Sequence, residues 1–339
     1  MLRAGITFNL KKNIHSEIPD AEAEFDDMDT IRALQTALET AGYAVTLYEA
    51  TEELPVRISQ NRPDIVFNIA EGRKGRGREA QVPAILNFLD IPFTGSDETT
   101  LCVAMDKALT KRLVASCGVD TPNYELIRSG ASMPDIGSLP DTGSFPDTGL
   151  AWPVIVKPNS EGSSKGINDF SVVNDSAALR RVLTEKMGVY REDILVEEYI
   201  SGREFTVGIL GNGDNLRVFP PMEILFNDKA HGIYSREVKK NFRHYVTYEC
   251  PANIGAGTMG EIESMAETVY RALECRDFGR IDFRLSPQGR PYFIEINPLP
   301  GLAPGYSDFP MIAEFCGMDY AALIRNIMDI ALTRYGLDH

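Results

Sequence analysis

The chain has 339 residues, of which 43% are hydrophobic and 24% are charged, a balance that suits two or three compact domains. Its formal net charge of -15 disfavours nucleic acid and anionic membrane surfaces as partners, because both would be repelled. Five scattered cysteines without a CxxC pair argue against a zinc site or a disulfide framework. No apolar run is long enough to span a membrane, and we expect a cytoplasmic protein.

The first hundred residues alternate strand and helix signals. The predicted elements are a strand over Ala4–Phe8, a helix over Asp27–Thr40, a strand over Tyr43–Tyr48, a buried strand over Asp64–Ile69, a helix over Glu79–Leu89 and a strand over Ile91–Thr94. Strands and helices that alternate in this way form βαβ units around a parallel, doubly wound sheet. We therefore predict an α/β, Rossmann-like N-terminal domain over residues 1–100.

The pattern changes after this domain. A helix is predicted over Ser96–Cys117, and beyond it short strands and hairpins replace the alternation, which is typical of an α+β fold. Asn212-Gly213 is a hairpin turn signal between two strands. Thr258–Glu274 and Tyr320–Tyr335 have the periodicity of amphipathic helices.

A Pro/Gly repeat occupies residues 134–149. A hexamer that begins with Pro-Asp occurs there three times, the last copy incomplete. Proline and glycine at fixed spacing make turns and not a core, and three short copies are too few for a solenoid. We expect an exposed loop, with a partner-binding loop as the alternative.

The first chemical motif is a strand that ends in a lysine and continues into a loop of small residues. Val154–Pro158 carries Lys157, and residues 159–166 are rich in serine and glycine. Glycines let main-chain N–H groups approach a phosphate, serines add donors, and a lysine supplies a point charge. The segment indicates a phosphate-binding loop, and the alternative is an ordinary Gly/Ser hairpin.

Two strand-like segments near the C-terminus carry oxygen-bearing side chains. Asp282 lies on the first, and Glu295 and Asn297, two residues apart, face the same side of the second. This set suits magnesium that is held jointly with substrate phosphates. Arg280 shares a face with Asp282, where a guanidinium can stabilise an oxyanion. The alternative is a salt bridge between strands.

Two further segments suggest contacts to a nucleotide. In Ile194–Ile200 an apolar strand ends at two acids and an aromatic residue, where main-chain groups can read an adenine edge, and Glu204 can accept from ribose hydroxyls. The alternative is the polar end of a strand. In Glu237–Asn241, two lysines of this acidic protein can close over phosphate, and the alternative is a solvated turn.

Taken in order, these motifs resemble those of a known family. Lys-Pro before Glu-Gly-Ser-Ser, Glu-Glu-Tyr-Ile-Ser-Gly-Arg-Glu-Phe-Thr-Val, Gly-Arg-Ile-Asp and Glu-Ile-Asn-Pro-x-Pro-Gly-Leu are similar to the D-alanine–D-alanine ligase branch of the ATP-grasp enzymes. Pro92–Ser96 and Met105-Asp106-Lys107 resemble that branch too. The resemblance implies a two-subdomain ATP-grasp fold after the N-terminal sheet, with a central subdomain over 101–203 and a C-terminal one over 204–339.

The resemblance also implies roles for individual residues. The ATP contacts that it implies are Lys107 and Lys157, the loop Gly162, Ser163 and Ser164, then Glu197, Glu198, Tyr199 and Ile200 for adenine, Glu204 for the ribose, and Lys239 for the γ-phosphate. The ligands that it implies for two Mg²⁺ ions, or Mn²⁺ in their place, are Asp282, Glu295 and Asn297. The residues that it implies beside the reacting groups are Ser163, Arg280 for the tetrahedral intermediate, and Ser307 for the carboxylate of the amine substrate.

The sequence departs from the family around the first substrate. The family's acid for the first amino group has two candidates here, Glu24 and Asp26, with a solvated acidic loop before a helix as the alternative. Lys240 stands where the ligases carry a tyrosine, and it can attract a further carboxylate. Glu71-Gly72 replaces His-Gly, and the basic segment Arg73–Arg78 follows. We expect that segment to face the active site, with an RNA-binding patch as the alternative.

These observations predict an ATP-dependent carboxylate–amine ligase that forms an amide through an acyl phosphate, with a lid over residues 228–245. The predicted substrates are amino acids or small peptides, and a homodimer is the expected oligomer because relatives of this type are commonly dimers. One alternative is the same fold acting on an amino acid other than D-alanine, or on a peptide. The other is a non-catalytic ATP-binding protein.

Overall fold

The computed structural model describes residues 1–12, 21–130, 150–163, 165–167, 169–227, 238 and 241–337. The predicted loop over 134–149 lies outside these residues, and so do Ser164, Lys239 and Lys240. No helix within the described part of the chain is both long enough and apolar enough to cross a membrane.

The N-terminal domain contains the predicted parallel sheet. Its elements are β1 (Arg3–Phe8), α1 (Met28–Thr40), β2 (Ala44–Glu49), α2 (Leu54–Gln60), β3 (Ile65–Asn68), a 3-10 turn (Arg78–Ala80) and α3 (Gln81–Phe88). The strand order is β2-β1-β3, and both pairs are parallel. The predicted fourth strand is reduced to one parallel bridge, between Val66 and Phe93. Helix α2 carries Pro55 in its first turn and had no counterpart in the sequence prediction.

Two helices occupy the segment for which one helix was predicted. They are α4 (Glu98–Met105) and α5 (Lys107–Ser116). Asp106 between them has an extended backbone with ψ of 95°, and its side chain accepts from the amide of Leu109 at 3.0 Å. A side chain that caps the next helix from an extended backbone ends the previous one, which explains the break.

The central sheet is antiparallel. Its elements are β4 (Tyr124–Ile127), β5 (Val154–Pro158), β6 (Val172–Val173), α6 (Ser176–Tyr190) and β7 (Ile194–Glu198). The strand order is β4-β7-β5-β6, and α6 packs its apolar face against the sheet in one hydrophobic cluster. This order places Lys157 of β5 opposite Leu195 of β7, and the Lys157 ammonium lies 3.0 Å from the Glu197 carboxylate on that strand.

The C-terminal sheet is also antiparallel. Its elements are β8 (Arg203–Leu210), β9 (Arg217–Val218), β10 (Met222–Phe226), α7 (Phe242–Tyr245), β11 (Val246–Glu249), α8 (Ala256–Ala272), β12 (Phe278–Leu285), β13 (Pro291–Asn297), α9 (Asp308–Phe315) and α10 (Tyr320–Tyr335). The order is β11-β10-β8-β12-β13, and β9 pairs with β8. Asn212-Gly213 therefore joins two paired strands, as the sequence predicted.

One hydrophobic cluster joins the N-terminal sheet to the C-terminal helices. Phe8 and Leu34 share it with Phe278, Phe309 and Ile327. Polar contacts cross the same boundary, where the carboxylate of buried Asp277 accepts from the amide of Gly95 at 2.8 Å and from Arg334 at 2.7 Å. The first and last parts of the chain are therefore held together around the space between the sheets.

Candidate active site

A cavity of about 700 Å³ opens between the sheets, and all three regions of the chain contribute to its walls. The residues on its wall that the sequence predicted are Glu24, Asp26, Lys107, Lys157, Gly162, Ser163, Glu197, Glu198, Tyr199, Ile200, Glu204, Arg280, Asp282, Glu295, Asn297 and Ser307. Residues that lie nearly 300 positions apart in the chain thus meet at one site.

The three candidate metal ligands lie on the neighbouring strands β12 and β13. Asp282 is directly opposite Glu295, and Arg280 is opposite Asn297. The Asn297 amide nitrogen lies 3.4 Å from the Asp282 carboxylate. Every ligand atom that this set offers to a cation is oxygen, which fits magnesium, so these three residues would hold the metal.

A β-bulge places these ligands on the cavity side. The register of β13 shifts between the pairs Asp282–Glu295 and Phe283–Phe293, which leaves one extra residue on β13. Phe293 and Ile296 therefore both pack in the core, although strict alternation would put them on opposite faces. The same shift turns Glu295 and its i+2 neighbour toward the cavity.

Arg280 is buried between two carboxylates. Its guanidinium donates to Asp282 at 3.0 and 2.8 Å, and it lies 3.4 Å from Asp308. Burial alone would lower the Arg280 pKa, but the two carboxylates outweigh burial and hold that pKa above its ordinary value. The residue is therefore a permanent, oriented cation beside the metal ligands, as oxyanion stabilisation requires.

Two buried lysines share one glutamate at the cavity wall. The Glu197 carboxylate lies 2.7 Å from the Lys111 ammonium and 3.0 Å from that of Lys157, and it is 2% exposed. Burial would raise the Glu197 pKa, but the two ammonium groups outweigh burial and lower it. The Glu197 side chain is thus committed to the lysines, and any contact with adenine falls to the main chain.

Lys111 was not among the predicted site residues. It is completely buried, and burial lowers its pKa to about 8. A sequence signal existed, because Lys107 and Lys111 are four residues apart on one helix face of an acidic protein. Lys107 itself lies on the cavity wall, 3.5 Å from the Glu295 carboxylate.

The phosphate loop is tied to the N-terminal domain through Glu24. The Glu24 carboxylate accepts from the Gly162 amide at 2.9 Å, from Lys165 at 2.7 Å and from Arg78 at 2.6 Å. Burial would raise the Glu24 pKa, but the two cations outweigh burial and lower it to about 2. A role for Glu24 in binding the substrate amino group stays a prediction, and the observed bonds already balance its charge.

The wall predicted for the nucleotide contains Tyr199 and Glu204. Arg284 lies 4.8 Å from the Tyr199 ring centroid and donates to Glu204 at 2.9 Å. The amides of Glu198 and Tyr199 donate to carbonyls outside the cavity at 2.9 Å each. Within the described part of the chain the Ile200 amide has no such acceptor, and its contact with adenine stays a prediction.

Ser307 lies at the N-terminus of α9, on the cavity wall. Its hydroxyl accepts from the Ala303 amide at 3.1 Å, which closes the turn after the Pro-x-Pro-Gly segment. A Cβ at Gly301 would approach that hydroxyl to 2.8 Å, so the turn requires glycine there. The serine is positioned near Arg280, whose partner Asp308 is the next residue along the chain.

One corner of the cavity is acidic, and the sequence motifs did not group the three glutamates that form it. Glu24, Glu71 and Glu79 each place a carboxylate oxygen within 4.8 Å of the others. Burial raises the Glu71 pKa well above its ordinary value and raises the Glu79 pKa to about 7, and the neighbouring carboxylates add to both shifts. Only the tertiary structure brings these acids together, since the chain separates Glu24 from the other two by more than 45 residues.

Comparisons with known proteins agree with this geometry. The family model described as D-ala D-ala ligase C-terminus matches residues 113–329. A D-alanine–D-alanine ligase of Gloeobacter violaceus is 33% identical over 309 residues, which span 89% of this chain and 93% of the relative. A D-alanine–D-alanine ligase of Bordetella avium is 33% identical over 310 residues, which span 91% of this chain and 85% of the relative. The uncharacterized protein y4sG of Sinorhizobium fredii is 32% identical over 307 residues, which span 88% of this chain and 86% of the relative.

The fold is shared with solved structures. The D-alanine–D-alanine ligase of Bacillus anthracis complexed with ATP superposes with a TM-score of 0.75 and 21% identity, and the match covers 99% of both chains. The predicted N-terminal parallel sheet followed by an ATP-grasp fold is therefore confirmed. The chain belongs to the D-alanine–D-alanine ligase family of ATP-dependent ligases.

Proposed function

We propose that the protein joins the carboxylate of an amino acid to an amine through an acyl phosphate, with ATP converted to ADP and phosphate. The observation that carries the proposal is the placement of Asp282, Glu295 and Asn297 on facing strands beside Arg280, in a cavity that also holds Lys107. Oxygen ligands, a fixed guanidinium and lysines within one cavity are the components that phosphoryl transfer to a carboxylate needs.

The chain's own residues account for the first step. Lys107 and Lys157 bind the phosphates of ATP, and the amides of the Gly162 loop approach them closely. Mg²⁺ held by Asp282, Glu295 and Asn297 would supply neutralisation of the negative charge that develops on those phosphates. The substrate carboxylate oxygen attacks the γ-phosphorus, the bond to the bridging oxygen breaks, and ADP leaves.

Arg280 serves the second step. The amine attacks the carbonyl carbon of the acyl phosphate, and the carbonyl oxygen gains negative charge as the tetrahedral intermediate forms. The Arg280 guanidinium faces the cavity and donates to that oxygen. The intermediate then expels phosphate and the amine loses a proton, which leaves the amide. Ser307 binds the carboxylate of the amine substrate from the same wall.

ADP release measured over a panel of D- and L-amino acids, singly and in pairs, tests the proposal. D-Alanine belongs in the panel because two of the relatives above are D-alanine–D-alanine ligases. We expect amine-dependent ADP release with at least one pair, and its loss in Lys157→Ala and Asp282→Asn. ATP binding without ADP release on any pair would instead support a non-catalytic ATP-binding protein.

A further inference from the structure

The acidic corner of the cavity contains two kinds of carboxylate. Glu24 is fully engaged, because Arg78, Lys165 and the Gly162 amide all donate to it. Glu71 and Glu79 lie on the same cavity wall, and within the described residues neither side chain has a hydrogen bond or an ion pair. Their carboxylates are therefore available to a ligand.

When Glu71 and Glu79 are ionised, the local charges do not balance without a ligand. Glu24 and Glu161 face the two cations Arg78 and Lys165, which bind both of them. Glu71 and Glu79 add two carboxylates with no further cation bonded to them in the described part of the chain. Half-buried carboxylates less than 5 Å apart repel each other strongly, and an incoming positive charge relieves that repulsion.

A second feature of the same cavity, beside Arg280, independently favours a ligand that carries N–H donors. Asp308 is 3% exposed and lies on the cavity wall, where one of its oxygens is paired with Arg280. Its other oxygen, Oδ1, is buried and has no hydrogen-bond partner among the described residues. A buried acceptor without a donor is costly, and a ligand that brings N–H donors into the cavity satisfies it.

An organic cation fits the corner better than a metal ion. A metal bound by all three glutamates would have to share the Glu24 oxygens with Arg78 and Lys165, two positive groups within 3 Å of them. An ammonium or guanidinium group needs only the acceptors of Glu71 and Glu79.

We infer that the substrate whose carboxylate is activated is an amino acid with a cationic side chain, and that Glu71 and Glu79 bind its ammonium or guanidinium group. This inference rests on the proposed ligase function and specifies its first substrate. Gly72 and the 3-10 turn Arg78–Ala80 hold the two acids on the wall, so both are positioned by main-chain geometry.

Isosteric pairs of amino acids provide the test. Arginine is compared with citrulline, and ornithine with norleucine, as both enantiomers, by ADP release with saturating ATP and each amine partner. We expect kcat/KM to be at least tenfold higher for the cationic member of a pair. Equal or better turnover of the neutral member, or of alanine, overturns the inference and leaves the ligase function intact. Absence of ADP release with every amino acid would overturn the proposed function itself.

Substitutions test whether Glu71 and Glu79 cause the preference for a cationic amino acid. Glu71→Gln and Glu79→Gln should reduce the ratio of kcat/KM for arginine over citrulline toward one while citrulline turnover is retained. Exposed Glu53→Gln is the matched control and should keep the ratio. A ratio that survives in both cavity variants contradicts the assignment. So does a stoichiometric Mn²⁺ site, seen by electron paramagnetic resonance without nucleotide, that is lost in Glu71→Gln.

The preference for arginine over citrulline should also depend on pH. The charged groups that act on Glu71 and Glu79 are Glu24, Asp26, Arg78, Lys107 and Lys165. Because the Glu79 pKa is raised to about 7, its carboxylate becomes fully charged only above neutrality. The arginine-to-citrulline ratio should therefore rise between pH 6 and pH 8. A flat ratio in the wild type would count against the two acids as the cation site.

Discussion

The Arg78 guanidinium donates to both oxygens of Glu24, at 2.6 and 2.8 Å, across a gap of 54 residues in the chain. Arg78 also donates to the Ser160 carbonyl at 2.9 Å, and Glu24 accepts from the Gly162 amide. This pair therefore joins the N-terminal domain to the first half of the phosphate loop. Arg78, the last residue of the basic segment, contacts Glu24 on the cavity wall, and the expectation that the segment faces the active site stays a prediction.

Loss of Arg78 should destabilise the protein. Arg78→Met leaves Glu24 buried with only Lys165 as a cationic partner, and breaking a buried pair from one side costs about 3–5 kcal/mol. Arg3→Met breaks the exposed pair with Asp64 and should have a much smaller effect. Urea unfolding of the three proteins measures the difference, and equal stabilities for the two variants would show that the interdomain pair contributes little.

The contribution of the Glu24 carboxylate to folding stability should vanish in acid. Its pKa is about 2 in the folded protein, below its ordinary value, so the carboxylate stabilises the fold above the unfolded pKa and loses this effect as pH falls. The stability difference between wild type and Glu24→Gln should be on the order of 3 kcal/mol at pH 7 and shrink between about pH 4.5 and pH 2. Urea unfolding of both proteins at pH 7, 4.5 and 3.5 measures this stability difference. A difference that grows on acidification would contradict the assigned ion pairs.

Removal of Arg280 should affect turnover more than ATP binding. Arg280→Met eliminates the donor to the tetrahedral intermediate and should lower kcat by a factor on the order of 10²–10³. ATP affinity, measured by calorimetry, should change little, because Arg280 is not placed on the phosphates. Arg290→Met removes an exposed arginine at the other end of the same strand pair and serves as the control. A decrease in kcat of less than threefold would exclude the proposed role of Arg280.

Two glycines that precede Glu79 provide a test of its positioning. Both have positive φ, 76° for Gly72 and 91° for Gly75, but a Cβ at Gly72 would lie 1.9 Å from the Arg78 carbonyl oxygen. A Cβ at Gly75 meets nothing within 4 Å. Gly75→Ala should therefore cost only backbone strain, about 1–3 kcal/mol. Gly72→Ala should be less stable than Gly75→Ala in thermal unfolding, and its arginine-to-citrulline ratio should fall. Equal stabilities would show that the loop relaxes without cost.

Much of the architecture followed from periodicity and turn chemistry in the sequence. Alternating strand and helix signals predicted the parallel sheet, and Asn212-Gly213 predicted the β8–β9 turn, because local patterns decide such elements. The spacing of Glu295 and Asn297 also placed both on one face correctly, since alternation is a local property of a strand.

Other features depend on contacts between distant parts of the chain. The bulge in β13 is set by pairing with β12, and no signal in the strand itself announced it. The Glu197 carboxylate lies between Lys111 and Lys157, because a buried charge needs opposite charges beside it, and its contact with adenine stays a prediction. Only the folded chain decides which side chains balance each other's charge.

The sequence by itself determined the family, most element types and most of the chemical groups at the site, because ordered motifs and local periodicity encode them. The tertiary structure alone decided that Glu24 is engaged by Arg78 and Lys165, and that Glu71 and Glu79 are open to the cavity. The physical reason is that the availability of a carboxylate depends on its neighbours in space, and the chain brings these two neighbours from 54 and 141 residues away.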